Sequence, residues 1–102
     1  MKLLIIIFSL IMAINSQAQI RVMTYNIKFD DRNDTINSWE NRRYVIAGLI
    51  DFHEVDIFGT QEGLHHQIEF LEEELPVFKA VGIGREGEEK GEYSALFFNE
   101  DK

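Results

Sequence analysis

The alternation of apolar and polar positions changes period several times along the chain, and each change marks an element. Leu3 to Ile14 is apolar without alternation, broken only by Ser9. Ile20 to Phe29 carries apolar residues on both alternating faces, with Ile20 and Val22 on one and Met23, Tyr25, Ile27 and Phe29 on the other. That pattern predicts a strand covered on both sides. Residues 30–36 are polar and read as a loop. Asn37 followed three residues later by Glu40 resembles a capping box, with Asn in the Ser/Thr position. The helix it opens runs to about Phe52, with Val45, Ile46, Leu49 and Ile50 on one stripe. Val55 to Thr60 is a second strand. Leu64 to Leu75 is a second helix, with Leu64, Ile68, Leu71 and Leu75 in register, and Pro76 ends it. Val77 to Ile83 and Tyr93 to Asn99 read as two further strands. The charged, glycine-rich stretch GREGEEKGE turns the chain between them.

The resulting order is β-α-β-α-β-β, and strands alternating with helices predict a layered α/β domain. If the first two strands are parallel, joined by the crossover helix, their C-terminal ends lie together. Open α/β sheets bind ligands in the crevice at those ends. Asn26 sits near the end of the first strand, and Glu62 lies just past the end of the second. Alone, an Asn at a strand end is most often a satisfied amide. A Glu before a helix is most often there because the helix dipole favours it. The pair at adjoining strand ends points to a site.

The first apolar run follows Lys2 and leads to Ser16-Gln17-Ala18. A positive start, a short apolar stretch and small residues at the cleavage positions form a secretory signal pattern. The run is shorter than the ~20 apolar residues of a bilayer span. The expectation is a signal peptide over 1–18, export to the periplasm or the exterior, and no transmembrane anchor. Residues 19–102 would form the exported domain. There is no cysteine, so no disulfide supports it and no lipid has an attachment residue near the cleavage site. The net charge is −8, which makes the surface a poor general platform for a polyanion. A bound metal can invert the local field.

Several patterns fail on context. Gly82, Gly84 and Gly87 satisfy G-x-G-x-x-G, but a dinucleotide site needs the motif to open a helix, and a charged turn follows. His53-Glu54 lacks the second His of a zinc-protease helix. Asp31 and Asn33 begin like a calcium loop, but Ile36 stands where that loop requires glycine. His65 and His66 are helix neighbours about 100° apart, poorly placed to share a metal. Arg42 is evenly balanced between holding a phosphate and pairing with an acid, and Arg43 leans to pairing. Trp39 reads as a packing residue. Glu92 and Tyr93 begin the last strand.

The segments Met23-Thr24-Tyr25-Asn26-Ile27, Trp39-Glu40-Asn41-Arg42-Arg43 and Asp56-Ile57-Phe58-Gly59-Thr60-Gln61-Glu62 resemble the motifs of the endonuclease/exonuclease/phosphatase superfamily. VGIGREGEEKGEYSALFF is similar to the next region in a subgroup of secreted bacterial members. The resemblance implies the N-terminal half of a DNase-I-like layered α/β sandwich. It implies that Glu62 is a ligand of a catalytic divalent ion, Mg2+ or Mn2+, and that Asn26 hydrogen-bonds the scissile phosphate. Arg42 and Glu92 are weaker candidates for substrate contact. The implied reaction is hydrolysis of a phosphodiester or phosphomonoester by metal-assisted water. The substrate would be a phosphorylated small molecule, a lipid headgroup or nucleic acid, and the acidic charge favours the first two. No stable protein partner is implied.

The family's later Asp-x-Asn and Asp-His motifs do not occur after Glu62, where Asp101 is the only aspartate. The expectation is a partial enzyme domain, inactive alone, with sheet surface left open and poor stability. The rival is a non-catalytic secreted binding module or truncated gene product that binds a cation weakly through Glu62.

Overall fold

The computed structural model describes residues 1–14 and 18–102. Ser16 and Gln17 of the expected cleavage region lie outside them. Its elements are α1 (Lys2–Ile14), β1 (Val22–Asn26), α2 (Trp39–Phe52), β2 (Ile57–Gly63), α3 (His65–Glu74), β3 (Phe78–Val81) and β4 (Tyr93–Asn99). After α1 the order is the expected β-α-β-α-β-β. The strands form a four-stranded sheet in the order β1-β2-β4-β3. β1 and β2 are parallel and in register from Val22 opposite Ile57 to Asn26 opposite Gln61. β4 runs antiparallel to both β2 and β3.

Apolar side chains explain the layering. Phe58 and Phe97 are fully buried and stack with centroids 4.4 Å apart, and Phe78 meets Phe58 edge-on at 5.0 Å. Trp39, Ile46, Ala47 and Ile50 of α2 and Ile68 and Leu71 of α3 join them in one cluster. Both helices therefore pack on the same sheet face. Removing this apolar surface from water is the main stabilising term. Trp39 also meets Phe70 edge-on at 5.6 Å. Arg43 lies over the rings of Tyr44 and Phe70 and pairs with Glu40 at 3.0 Å, as its pairing role required.

Four sequence expectations change. β1 is shorter than Ile20–Phe29 because the chain turns at Lys28, whose φ is +58°, out of the strand region. β1 is covered on one side only: Val22 is 71% exposed, and Val81 and Leu96 share that open face by register. The N-cap of α2 is Ser38, without a side-chain cap bond. The Asn37 and Ile36 backbone N–H groups bond instead to Asp34 Oδ1, at 2.9 and 3.2 Å. The stripe of α2 also rotates, since Ile46 and Ile50 are buried while Val45 and Leu49 are exposed.

The apolar run Lys2–Ile14 is helical, and its described side chains are exposed. Among the described residues no helix is long and apolar enough to cross a membrane. The glycine motif makes a hairpin, not a helix start. Gly87 and Gly91 have φ of +98° and +79°, and a Cβ on Gly84 would collide with the Lys90 backbone.

Gly63 is the tightest point between the sheet and α3. A Cβ there would lie 2.9 Å from Ile68 Cδ1 and 3.0 Å from Ile27 Cδ1. Gly63→Ala is therefore expected to destabilise by about 1–3 kcal/mol, the usual cost of overpacking. Gly48, within α2, has nothing within 4 Å of its Cβ position. Gly48→Ala is expected to stabilise by up to ~1 kcal/mol through helix propensity. Urea unfolding midpoints of the two variants should move in opposite directions.

Candidate functional site

Asn26 ends β1 with an exposed side chain. Its Oδ1 accepts the Lys28 backbone N–H at 3.0 Å. A backbone N–H can meet only the oxygen of an amide, so this bond fixes which way the carboxamide faces. The Nδ2 group has no acceptor among the described residues and is free to donate outward. The opposite orientation would present an acceptor there, which an anion would reject.

The neighbouring strand end is irregular. Thr60 faces Ala95 across the β2–β4 pair, and Gly63 faces Tyr93, with a register shift between the two pairs. Gln61 and Glu62 thus occupy a bulge, which re-aims side chains and is common beside active sites. Glu62 has φ +64°, a left-handed conformation that costs a residue with a Cβ roughly 1–2 kcal/mol. Its carboxylate is half-buried and has no hydrogen-bond or ion-pair partner among the described residues. Gln61 lies opposite Asn26 in the register and donates from Nε2 to Thr24 Oγ1 at 3.2 Å. β1 and β2 therefore bring Asn26 and Glu62 to the same sheet edge.

Glu62 lines an open groove of about 680 Å³ with Gln61, Ile83, Arg85, Glu92 and Ser94. Asn26 stands outside that lining, across Gln61. Glu92 faces Arg85 at 3.9 Å, and the Arg85 N–H donates to the Glu92 carbonyl at 2.8 Å. Arg42 points elsewhere. Its guanidinium donates to the carbonyls of Ile27 at 2.7 Å, Asn37 at 2.8 Å and Lys28 at 3.3 Å. That places it under the loop after Asn26 rather than in the groove. Among the described residues no group of three or more His, Cys, Asp or Glu side chains gathers in a metal-holding arrangement.

Gln67 is a further residue of the site region, not evident from the apolar pattern. It is fully buried, and its carboxamide is bonded on both sides. Nε2 donates to the Lys28 carbonyl at 3.0 Å, and Oε1 accepts from Asp30 N at 3.0 Å and Leu64 N at 2.9 Å. Its position three residues after Leu64 was the available signal, since Gln there reaches back to the N-cap N–H. The two adjacent histidines of α3, His65 and His66, are both paired. His65 Nδ1 shares a hydrogen bond of 3.0 Å with the Tyr93 hydroxyl, and its Nε2 lies 3.1 Å from Glu69. His66 Nε2 lies 2.8 Å from Asp30.

Three solved structures resemble the chain closely. An endonuclease/exonuclease/phosphatase from Bacteroides vulgatus superposes with a TM-score of 0.82 at 39% identity, over 84% of this chain and 33% of that one. A family protein from Bacteroides thetaiotaomicron gives 0.79 at 40% identity, over 81% and 31%. A mannosyl-6-phosphatase from the same organism gives 0.78 at 39% identity, over 82% and 33%. No protein-family model and no curated protein matches the chain. The sheet and its flanking helices are a layered α/β arrangement of the DNase-I-like kind. The chain belongs to the endonuclease/exonuclease/phosphatase superfamily, a family of phosphoesterase type. It spans about a third of the length of the three structures.

The backbone at Glu62 makes a direct prediction. Glu62→Gly relieves the left-handed strain and is expected to raise stability by up to ~1 kcal/mol, while deleting the one unpaired carboxylate of the bulge. Thermal unfolding of the variant checks this. An unchanged or lower midpoint would show that the carboxylate itself supports the fold.

Asp34 yields a second. Hydrogen bonding from the Asn37 backbone N–H, and then from Lys28, holds its carboxyl below the ordinary aspartate range. A depressed folded pKa gives stability that is complete above the unfolded value and is lost as pH falls through the folded one. The Ile36 and Asn37 amides should therefore stay protected from exchange through neutral and mildly acid pH. They should lose protection only below the usual aspartate titration. In Asp34→Asn that acid step should disappear.

Proposed function

We propose that Asn26 and Glu62 form part of a metal-dependent phosphoesterase site. One observation carries the reading: a carboxylate held in a left-handed bulge without a partner among the described residues, at the strand end adjoining that of an amide whose donors are turned outward. A strained residue at a site is usually kept for what it does. The donor set fits a hard cation that takes carboxylate oxygen and keeps several waters, as Mg2+ or Mn2+ does. It does not fit tetrahedral zinc, which takes three or four protein ligands. Glu62 would hold the ion, and Asn26 Nδ2 would donate to a phosphate oxygen without competing for it. When bound, such an ion supplies Lewis acidity toward a phosphoryl oxygen and the charge that develops there.

The substrate we favour is a small phosphorylated molecule. The groove beside Glu62 is open, and Gln61, Arg85, Glu92 and Ser94 among its lining residues are suited to hydroxyls. The similarity to a mannosyl-6-phosphatase points the same way, and the net charge of −8 disfavours long polyanions. Lipid headgroups come next and nucleic acid last. The alternative, a binding module without turnover, is favoured by one observation: a single free carboxylate and one amide lie at adjoining strand ends, and among the described residues no group of three metal ligands gathers. On that ground we expect the 102-residue chain alone to bind rather than to hydrolyse. We also propose export, with cleavage near Ala18.

The test uses a protein that carries this segment at the length of its structural neighbours. Glu62→Gln is expected to lower Mg2+-dependent hydrolysis of a sugar phosphate at least ~100-fold with the fold intact. Unchanged hydrolysis would remove Glu62 from the mechanism. Magnesium-independent turnover would remove the metal.

A further inference from the structure

Burying an amide is unfavourable unless each of its polar atoms is satisfied. Gln67 is completely buried, yet an apolar side chain of its size would fill the same space. What its carboxamide adds is a connection. Oε1 accepts from Asp30 N, in the loop that leaves β1, and from Leu64 N, at the end of the turn that leaves β2. Nε2 donates to the carbonyl of Lys28. One side chain therefore holds both strand exits that carry the candidate site residues. Arg42 supports the same loop from α2, donating to the carbonyls of Ile27 and Lys28. The Lys28 carbonyl thus receives two side-chain donors, and the Lys28 N–H is the group that orients Asn26. Lys28 is itself left-handed, a conformation that an unsupported lysine would leave.

We infer that Gln67, seconded by Arg42, is a positioning residue that sets the Asn26 carboxamide relative to Glu62 by tying the exit loop of β1 to that of β2. The inference deepens the phosphoesterase reading and rests on it for its catalytic meaning. The mechanical part stands on hydrogen bonds alone. A phosphate oxygen accepts from Asn26 only if the amide keeps its donors outward. A rotation of the Lys28 peptide would release that orientation without touching either strand. Misplacement of a reacting or positioning group by about an ångström costs on the order of 100-fold in rate.

The experiment compares the full chain with Gln67→Met, which keeps the volume and removes every bond. Three readouts are taken: amide hydrogen exchange, 15N relaxation of the Asn26 side-chain NH2, and the shift of that NH2 signal on titration with inorganic phosphate in the presence of Mg2+. Expected in Gln67→Met are exchange at Asp30 and Leu64 faster by at least ~10-fold, in line with a lost buried hydrogen bond, and an Asn26 side chain that changes from rigid to mobile. Amides of β2 and β4 stay protected, and the phosphate-induced shift is lost. If Gln67→Met loosens the whole chain, Arg42→Lys decides instead. It retains charge but cannot span the carbonyls, and it should mobilise Asn26 with the core intact. An Asn26 NH2 equally rigid in the variant that keeps its core would overturn the inference. A wild-type chain whose Asn26 signal ignores phosphate would count against the phosphate reading, while exchange and relaxation still decide the positioning role. In a hydrolytically active longer protein, Gln67→Met should lower kcat more than it raises KM.

Discussion

The parallel pairing of β1 with β2 runs without a slip from Val22 opposite Ile57 to Asn26 opposite Gln61. Side chains on a strand alternate with a period of two, so a slip of one residue would turn Asn26 toward the helices and Met23 outward. The register is held on the covered face, where Met23 sits opposite fully buried Phe58 and Phe58 stacks on Phe97. Parallel order in turn requires a crossover between the strands, and α2 supplies it with Trp39, Ile46 and Ile50 buried beneath the sheet. Core packing on one face thus decides the position of polar groups at the edge. Neither Asn26 nor Glu62 contributes to that core.

Of the four non-glycine residues with positive φ among the described residues, two lie where β1 ends and where β2 bulges, and the others are Glu54 and Glu88. Lys28 and Glu62 are both left-handed, with φ of +58° and +64°. Such residues persist where their surroundings over-determine them. For Lys28 the support is explicit: its N–H meets Asn26, its carbonyl meets Arg42 and Gln67, and its ammonium meets Asp34 at 3.1 Å. For Glu62 the support is steric. Gly63 is wedged between Ile27 and Ile68, and Tyr93 pairs with Gly63 across the bulge. The side chain of Glu62 is not among the groups that hold it in place, and it has no partner among the described residues.

Periodicity made the sheet and both packed helices legible, because buried faces repeat with the geometry of the element. Ile68 and Leu71 are core by pattern and core in fact, and Phe58 and Phe97 are core within predicted strands. Asn26 was legible as an amide in an apolar strand, and Glu62 as a carboxylate just past the end of the adjoining one. The bulge was not, since Thr60-Gln61-Glu62 carries no glycine to announce a positive φ. Arg42 was ambiguous because a guanidinium serves a phosphate or three carbonyls equally well. Only its reach to Ile27, Lys28 and Asn37 distinguishes the two. Gln67 was invisible as a hub because its partners are backbone groups, which have no letter in the sequence. Asn37 was misjudged as a cap for a related reason: the Asp34 side chain took the backbone donors that set the turn.

Charge supplies the last link between this geometry and the proposed chemistry. A phosphate approaching Glu62 meets a carboxylate on a chain of net charge −8. The basic side chains around the two strand ends are already engaged. Lys28 is paired with Asp34, Arg42 is turned onto backbone carbonyls, and Arg85 faces Glu92. One neutral amide, Asn26, faces outward with donors to offer. An amide hydrogen bond contributes only about 0.5–1.5 kcal/mol net, whereas two like charges about 4 Å apart repel by about 4 kcal/mol at the effective dielectric of a protein surface. The amide cannot offset that repulsion. Glu62 holding a divalent cation would reverse the sign of that interaction and leave the amide to orient the anion. The arrangement is coherent for phosphate chemistry if Glu62 is a ligand for such an ion, and it is electrostatically unfavourable if Glu62 is not.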